Sequence, residues 1–372
     1  MPYLLTNCRV YTGDTLLVNH DVLVQEPIIK AIIPQQQRPT QVAQVDGRGL
    51  NVCPGFVDLQ LYGGGESAFG MVPSRTALQQ LRRHTLRYGT TSFLPTVPTN
   101  APAVINHALA VVKEALPTMP GLLGLHLEGP YISPNKRGVH PAEFVRVPVL
   151  AELADLVNQG RGVLRMLTLA PEVLGPAESA LLKAAGIVLS AGHSNASYEQ
   201  GMQAFANGFT AATHLFNAMS PLTSRAPGLV GAVYDDQAVR ASIVADGRHC
   251  AYASVRISHR LLGTRLFLIS DATAATAAAP YCFYPQADYF VDAEGTLAGS
   301  GLTLLQAVRN CVQHVGISLA ESLRMASLYP AQLLGLDHYL GRIAPGYHAD
   351  LCLFDDELNV HATAVAGQMQ WY

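Results

Sequence analysis

The sequence predicts an α/β fold: a (β/α)₈ barrel joined to a small β-sandwich domain built from the two ends of the chain. Three observations predict it. Eight short apolar or β-branched runs follow one another after residue 52, amphipathic stretches separate them, and both chain ends share a different, strand-only texture. Length agrees, because 372 residues exceed the usual single domain, whereas α/β barrels run to about 250 residues as one domain and leave room for a smaller unit.

The eight runs are Phe56 to Leu61, Thr91 to Val97, Leu122 to Leu127, Val163 to Leu169, Ile187 to Ala191, Thr210 to Thr213, Ala241 to Ala245 and Leu266 to Ile269. Between them, stretches such as SRTALQQLRRHTLRYG and APAVINHALAVVKEAL carry apolar residues every three or four positions and end in Pro or Gly, which predicts the outer helices. Two further helical stretches, SGLTLLQAVRNCVQHVG and SLAESLRMASLYPAQLLG, exceed what one barrel helix needs and predict a C-terminal extension packed on the barrel. The first 51 residues instead show short alternating runs (TNCRVYTG, HDVLVQ, IIKAII) between polar turns, and that texture returns in ADLCLFDDELNVHATAVAG. Neither segment can bury a core alone, so residues 1–51 and 339–372 are expected to form one β-sandwich beside a barrel of residues 52–338. The narrow stretch ATAATAAAP, residues 272–280, reads as a loop.

Composition limits the partners. Apolar residues make up 49% and charged residues 14%, which suits a large core and excludes disorder. A formal charge of −3 attracts neither nucleic acid nor an anionic membrane, so neither is expected as a partner and an anionic ligand needs a local cluster. The six cysteines show no C-x-x-C pair or zinc-site spacing and read as free thiols. The start, MPYLLTNCRVYTG, lacks a basic segment followed by an apolar core, and no run approaches ~18 apolar residues, so a cytoplasmic protein is expected.

In a (β/α)₈ barrel the active site lies at the C-terminal strand ends, where the βα loops converge. Those ends carry Gln60 and Tyr62 after the first run, Glu128 after the third, His193 after the fifth, His214 after the sixth, Asp246 and His249 after the seventh, and Asp271 after the eighth. One carboxylate and two imidazoles, Glu128, His193 and His214, form a common ligand set for zinc or another divalent ion with a position open for water. A lone histidine on an apolar strand is ordinarily a hydrogen-bonded core residue; the coincidence of three strand ends favours a ligand set. Asp271 follows LFLIS and either caps a helix or serves as base for the water and acid for a leaving amine. His140, in NKRGVHP, either donates to a developing oxyanion or lies idle in an exposed loop. His126 shares the face of Glu128 and reads as a histidine that supports a metal ligand or as a core histidine. Arg225 and His249, with backbone donors near Asn217 and Ala218, could hold an anion, a surface salt bridge being the alternative for Arg225. Lys136 and Arg137 read as solvated loop charges, and the GSG of residues 299–301 as a helix opening able to receive an anion or carbonyl. Together these residues point to a metal-dependent amidohydrolase.

Taken in order, PGFVDLQLYGGG, HLEGPYI, LAPE, AGHSNAS, THLFNAMS, PGLVGA, SDAT, GTLAGS, MASLYPAQLLGL and GRIAPGYHADL closely resemble the N-acetylglucosamine-6-phosphate deacetylase family of the amidohydrolase superfamily, nearly end to end. The resemblance implies hydrolysis of the acetamide of N-acetylglucosamine 6-phosphate to glucosamine 6-phosphate and acetate. In it Glu128, His193 and His214 match the metal ligands, Asp271 the general base and then acid, and His140 the carbonyl-polarising or substrate-binding histidine. It further implies substrate contacts at Val139, His140, Asn217, Ala218, Arg225, His249 and the backbone of Leu297, Ala298 and Gly299, and a homodimer in which Arg225 reaches the phosphate across the interface. Many superfamily members carry H-x-H after the first strand to hold a second metal. Here Gln60 and Tyr62 stand there, so one divalent ion per chain is expected, zinc first, with iron, manganese, cobalt or nickel as alternatives. Tyr62 departs from the asparagine of single-metal relatives, and its ring would narrow the mouth. The stretch TAATAAAPYCFYPQ after Asp271 is shorter than theirs. Three alternatives stay open: a deacetylase of the galactosamine epimer, a cyclic-amide or cyclic-imide hydrolase, and a non-catalytic binding protein on the same fold. The retained ligands and Asp271 weigh against the last.

Overall fold

The computed structural model describes residues 2–372. By the density of its backbone contacts the chain divides into two compact units, one made of the segments up to Asp58, Arg83–Phe93 and Thr303–Tyr372, the other of Leu59–Arg82 and Leu94–Leu302.

In the first unit both chain ends share one mixed, eight-stranded sheet. Strands β1 (Tyr3–Tyr11), β2 (Leu16–Gln25) and β3 (Ile28–Pro34) run antiparallel, and β1 also pairs in parallel with β4 (Ala43–Asp46) and β5 (Asn51–Pro54). β5 pairs antiparallel with Leu351–Phe354, which continues through Val360–Val365 to Gln368–Trp371. Since alternate residues share a face, Leu5, Val10, Val22, Val24, Ile29 and Val52 from the first segment meet Leu351, Leu353, Ala362 and Ala364 from the last in one buried cluster. Each large side chain contributes about 1.5–3 kcal/mol by that burial, and the cluster closes only when both segments are present. The two extra helical stretches belong to this unit. The second is broken into Leu319–Ala326 and Leu328–Leu333, because Pro330 has no N–H to donate and its ring crowds the carbonyl four residues back.

The second unit carries the barrel, apart from the first halves of its two leading strands. Its strands are β6 (Phe56–Leu61), β7 (Thr90–Pro98), β8 (Leu125–Glu128), β9 (Leu164–Leu169), β10 (Val188–Ala191), β11 (Phe209–Ala212), β12 (Arg240–Ile243) and β13 (Leu266–Leu268), hydrogen-bonded in sequence order. The circle is tied at the site end, where the amide of Asp271 donates to Gln60 O at 3.0 Å and that of Tyr62 to Ala272 O at 2.7 Å. All eight expected runs are strands. The third begins three residues late, at Leu125, because Gly124 takes a φ of +134° that ends any extended run before it.

Outer helices α1 (Arg75–Arg87) and α2 (Pro102–Ala115) lie where the apolar spacing places them. They are followed by α3 (Leu150–Gln159), α4 (Pro176–Ala184), α5 (Tyr198–Ala206), α6 (Gly228–Asp235) and α7 (Tyr252–Leu262). The AGHSNAS segment shows why its chain turns at once from strand to helix: Ser197 Oγ accepts from the Gln200 amide, and the Gln200 side chain accepts from the Ser197 amide.

Residues 272–280 carry neither helix nor named strand, as expected. A small three-stranded sheet that the alternation did not reveal follows: β14 (Tyr284–Pro285), β15 (Tyr289–Val291) and β16 (Leu297–Ser300). This corrects the expectation that the GSG of residues 299–301 opens a helix. Gly299 and Ser300 lie in β16, held by Ser300 N donating to Asp271 O at 3.0 Å and Ser300 Oγ to Ser270 O at 2.6 Å. The next helix starts at Leu304, where Thr303 Oγ1 accepts from the Gln306 amide.

Candidate active site

The strand ends supply the site in strained conformations. His193, His214, Ala218 and Asp271 have φ of +47°, +36°, +50° and +54°, a region that costs side-chain-bearing residues on the order of 1–3 kcal/mol each and persists where surrounding structure fixes it. His193, His214 and Asp271 follow their strands by two or three residues, and Ala218 lies further along the loop after β11. All four lie beside the same carboxylate or along the same cavity.

Glu128, 2% exposed, is the centre. Its Oε1 lies 3.0 Å from His214 Nε2 and 3.4 Å from His193 Nε2, and accepts from Gln60 Nε2 at 2.9 Å. Oε2 accepts from the Tyr62 hydroxyl at 2.5 Å and faces His140 Nε2 at 3.3 Å. Burial by itself opposes the charge, but His193 and the bonds from His140, His193 and His214 hold the carboxyl well below its usual range. Burial, with Glu128 and Asp271 beside it, pushes the Tyr62 phenol well above its ordinary value, so it stays a proton donor.

The ring partners fix which nitrogen carries each proton. His193 Nδ1 lies 2.9 Å from Lys136 O and donates to it, so Nε2 is the nitrogen turned inward. His140 is the reverse, since its Nδ1 accepts from the Thr99 amide at 3.3 Å and therefore leaves the proton on Nε2. Burial and the neighbouring His193 push its pKa down to about 4, keeping it neutral. His193 Nε2 and His214 Nε2 lie 3.1 Å apart, and His214 Nδ1 is buried without a hydrogen-bond partner among the described residues. Two buried ring nitrogens this close beside a carboxylate suit a cation. By proximity, ligand-type atoms of Glu128, His140 and His193 lie within 4.8 Å of one another, an arrangement able to hold a metal ion. His214 brings its own Nε2 as near to the same carboxylate, 3.0 Å from Oε1, and 3.1 Å from His193 Nε2.

Asp271 sits opposite. Its Oδ1 accepts from Gln60 Nε2 at 3.0 Å, and its Oδ2 faces His249 Nε2 at 3.3 Å. Asp246 orients that imidazole, with Oδ2 2.6 Å from Nδ1 and Oδ1 accepting from the His249 amide at 2.8 Å. Burial disfavours charge on His249, yet Asp246 and Asp271 raise its pKa to about 9. Asp271 caps no helix, so the structural alternative for it is set aside, as is the exposed-loop alternative for His140, which is 3% exposed.

These groups open into a cavity of about 340 Å³. Of the substrate contacts expected from sequence, Val139, His140, Asn217, Ala218, His249, Leu297, Ala298 and Gly299 line it. Arg225 does not, and is exposed. Lys136, expected as a solvated charge, is half-buried on the cavity wall, because its carbonyl is fixed by His193. His126 is a satisfied core residue: Nδ1 donates to Leu59 O at 2.9 Å and Nε2 lies 2.8 Å from Thr168 Oγ1. Several wall residues were not singled out by sequence. Tyr281, whose hydroxyl donates to Thr99 O at 2.6 Å, packs with Met71 and Phe283; apolar residues carry no chemical mark, and only the fold brings these together.

Family models agree with this arrangement. One described as the amidohydrolase family matches residues 51–370, and one described as the NagA composite domain matches residues 2–52. The chain is 38% identical, over 99% of both chains, to N-acetylglucosamine-6-phosphate deacetylase of Haemophilus influenzae. It is 36% identical to N-acetylgalactosamine-6-phosphate deacetylase of a Shewanella species, covering 85% of this chain and 82% of that one. The crystal structure of N-acetylglucosamine-6-phosphate deacetylase from Pasteurella multocida superposes with a TM-score of 0.96 at 36% identity, covering 100% of both chains. The chain belongs to the amidohydrolase family.

Proposed function

We propose that this protein hydrolyses the acetamide of N-acetylglucosamine 6-phosphate to glucosamine 6-phosphate and acetate, the activity named for its Haemophilus and Pasteurella relatives. One observation carries the mechanism: Gln60 Nε2 bridges Glu128 Oε1 and Asp271 Oδ1 at 2.9 and 3.0 Å, placing a ligand carboxylate and a free carboxylate on two sides of one amide. Glu128, His193 and His214 would hold one divalent ion per chain, zinc being our first choice. When bound, such an ion supplies Lewis acidity toward water and the amide oxygen. Asp271 takes the proton from the attacking water and delivers it to the amine nitrogen as the C–N bond breaks, so the carboxylate is regenerated. His140 donates its Nε2–H to the oxygen on which charge develops. His249, Asn217 and the Ala218 backbone receive the phosphate, with Arg225 contributed by the partner subunit of a homodimer. Among the described residues no helix is long and apolar enough to cross a membrane, and we place the protein in the cytoplasm, where a sugar phosphate is available.

Acetate release from N-acetylglucosamine 6-phosphate, from its galactosamine epimer and from the unphosphorylated sugar tests this. Turnover of the first, lost in Asp271→Asn, is the expected result. Release from the epimer alone would favour the second reading, which the Shewanella relative motivates. Release from none, with metal bound, would refute both.

A further inference from the structure

We propose that Tyr62 is a positioning residue for the metal-binding carboxylate: its phenol occupies Oε2 of Glu128, so that Oε1 alone is left for an ion. This rests on Glu128 being a ligand, as read above. The two carboxylate oxygens have separate surroundings. Oε1 faces the ring nitrogens of His214 and His193 at 3.0 and 3.4 Å, whereas Oε2 takes the Tyr62 hydroxyl at 2.5 Å. An O–H···O⁻ bond of this length is of the strong, charge-assisted kind.

The phenol is directed. Gln60 Nε2, 2.6 Å from its oxygen and shared with Glu128 Oε1 and Asp271 Oδ1, offers no lone pair to accept from it, so the phenolic proton goes to Glu128 Oε2. Nor can the ring drift. Tyr62 N donates to Ala272 O and Gly70 N donates to Tyr62 O, both at 2.7 Å, while the ring packs with Met71, Tyr281 and Phe283. A Cβ on Gly70 would come within 2.9 Å of Tyr62 Cβ, so the chain passes this close only because residue 70 has no side chain. Without the hydroxyl, Oε2 would keep only the longer contact to His140 Nε2, at 3.3 Å, and would be held less firmly away from the ion beside Oε1. Partners that orient a ligand in this way are typically worth 10- to 100-fold in metal affinity.

The test compares wild type with Tyr62→Phe, which keeps the ring and removes the hydroxyl. Metal-depleted protein is titrated with Zn²⁺ against a competing chelator, and its Co²⁺ form is followed by visible absorption. We expect one ion in the wild type, affinity weaker by about 10- to 100-fold in the variant, and an altered Co²⁺ spectrum. Equal affinities and superimposable spectra overturn the proposal. So does a crystal structure of the zinc-loaded wild type with both oxygens of Glu128 on the ion, or a second ion on Oε2, whatever the variant's folding. If Glu128→Gln binds zinc as tightly as wild type, the ligand assignment itself fails, and the role of Tyr62 falls with it.

Discussion

The two walls of the cavity are built on different principles. The floor consists of strand ends, Gln60, Glu128, His193, His214 and Asp271, each fixed by polar bonds and three of them in left-handed backbone. The opposite rim is apolar, with Tyr281, Phe283 and Ala298 from the segment after Asp271 packed on Met71 and Val139. A floor of this kind holds atoms for chemistry, since directional bonds fix both position and protonation. A rim held by apolar packing shapes the space around a ligand. The two meet at Tyr62, which packs into the rim with its ring and reaches the floor with its hydroxyl.

If that division holds, floor changes reduce kcat and rim changes raise KM. The largest effect is expected for Asp271→Asn, a loss of about 10²–10⁴-fold in kcat with the bound metal retained, checked by steady-state kinetics beside metal analysis. A variant that also loses its metal would show Asp271 to be a ligand and not a proton carrier. Removing the metal with a chelator should abolish turnover and lower the melting temperature; an ion present at 1,000 times its dissociation constant stabilises by about 4 kcal/mol. An unchanged melting curve would argue against the buried site. His140→Ala should lower kcat by about 10²–10³-fold while leaving metal affinity near wild type, and titration with zinc separates that from a ligand role.

Smaller effects probe the rim and its edge. Tyr281→Phe removes a hydrogen bond to Thr99 O, worth about 0.5–1.5 kcal/mol, and should raise KM a few-fold with kcat kept within about twofold. A collapse of kcat comparable to that of His140→Ala would erase the distinction, because Thr99 also touches His140. The pH dependence is subtler. His249 has its pKa raised from 6.5 to about 9 by Asp246 and Asp271, so its contribution to stability is fully present below about 6.5 and is lost as pH rises through about 9. The same loss of charge should weaken selection for a phosphorylated over an unphosphorylated sugar across that window. Measuring the ratio of kcat/KM values against pH for wild type and His249→Gln checks it, and parallel profiles would count against His249 as the phosphate contact.

Much of this was legible in the sequence, because strand ends and ligand-type residues coincide in any barrel that folds in register. Short apolar or β-branched runs placed the eight strands and period-3.6 spacing the helices α1 and α2, and polar residues immediately after apolar runs marked Glu128, His193, His214 and Asp271. The match of the two chain ends was legible too, since neither could bury its own apolar face. What tertiary structure decided was everything set by neighbours distant in sequence. Only folding gives His140 a Thr99 amide, and hence a proton on Nε2. Only folding fixes Lys136 by its carbonyl and gathers Met71 and Phe283 around Tyr62, and it is folding that draws the GSG segment into a strand through bonds to Ser270 and Asp271. Sequence records which groups are available, whereas protonation, orientation and enclosure depend on which groups lie within a few ångströms, and those contacts join residues tens to hundreds of positions apart.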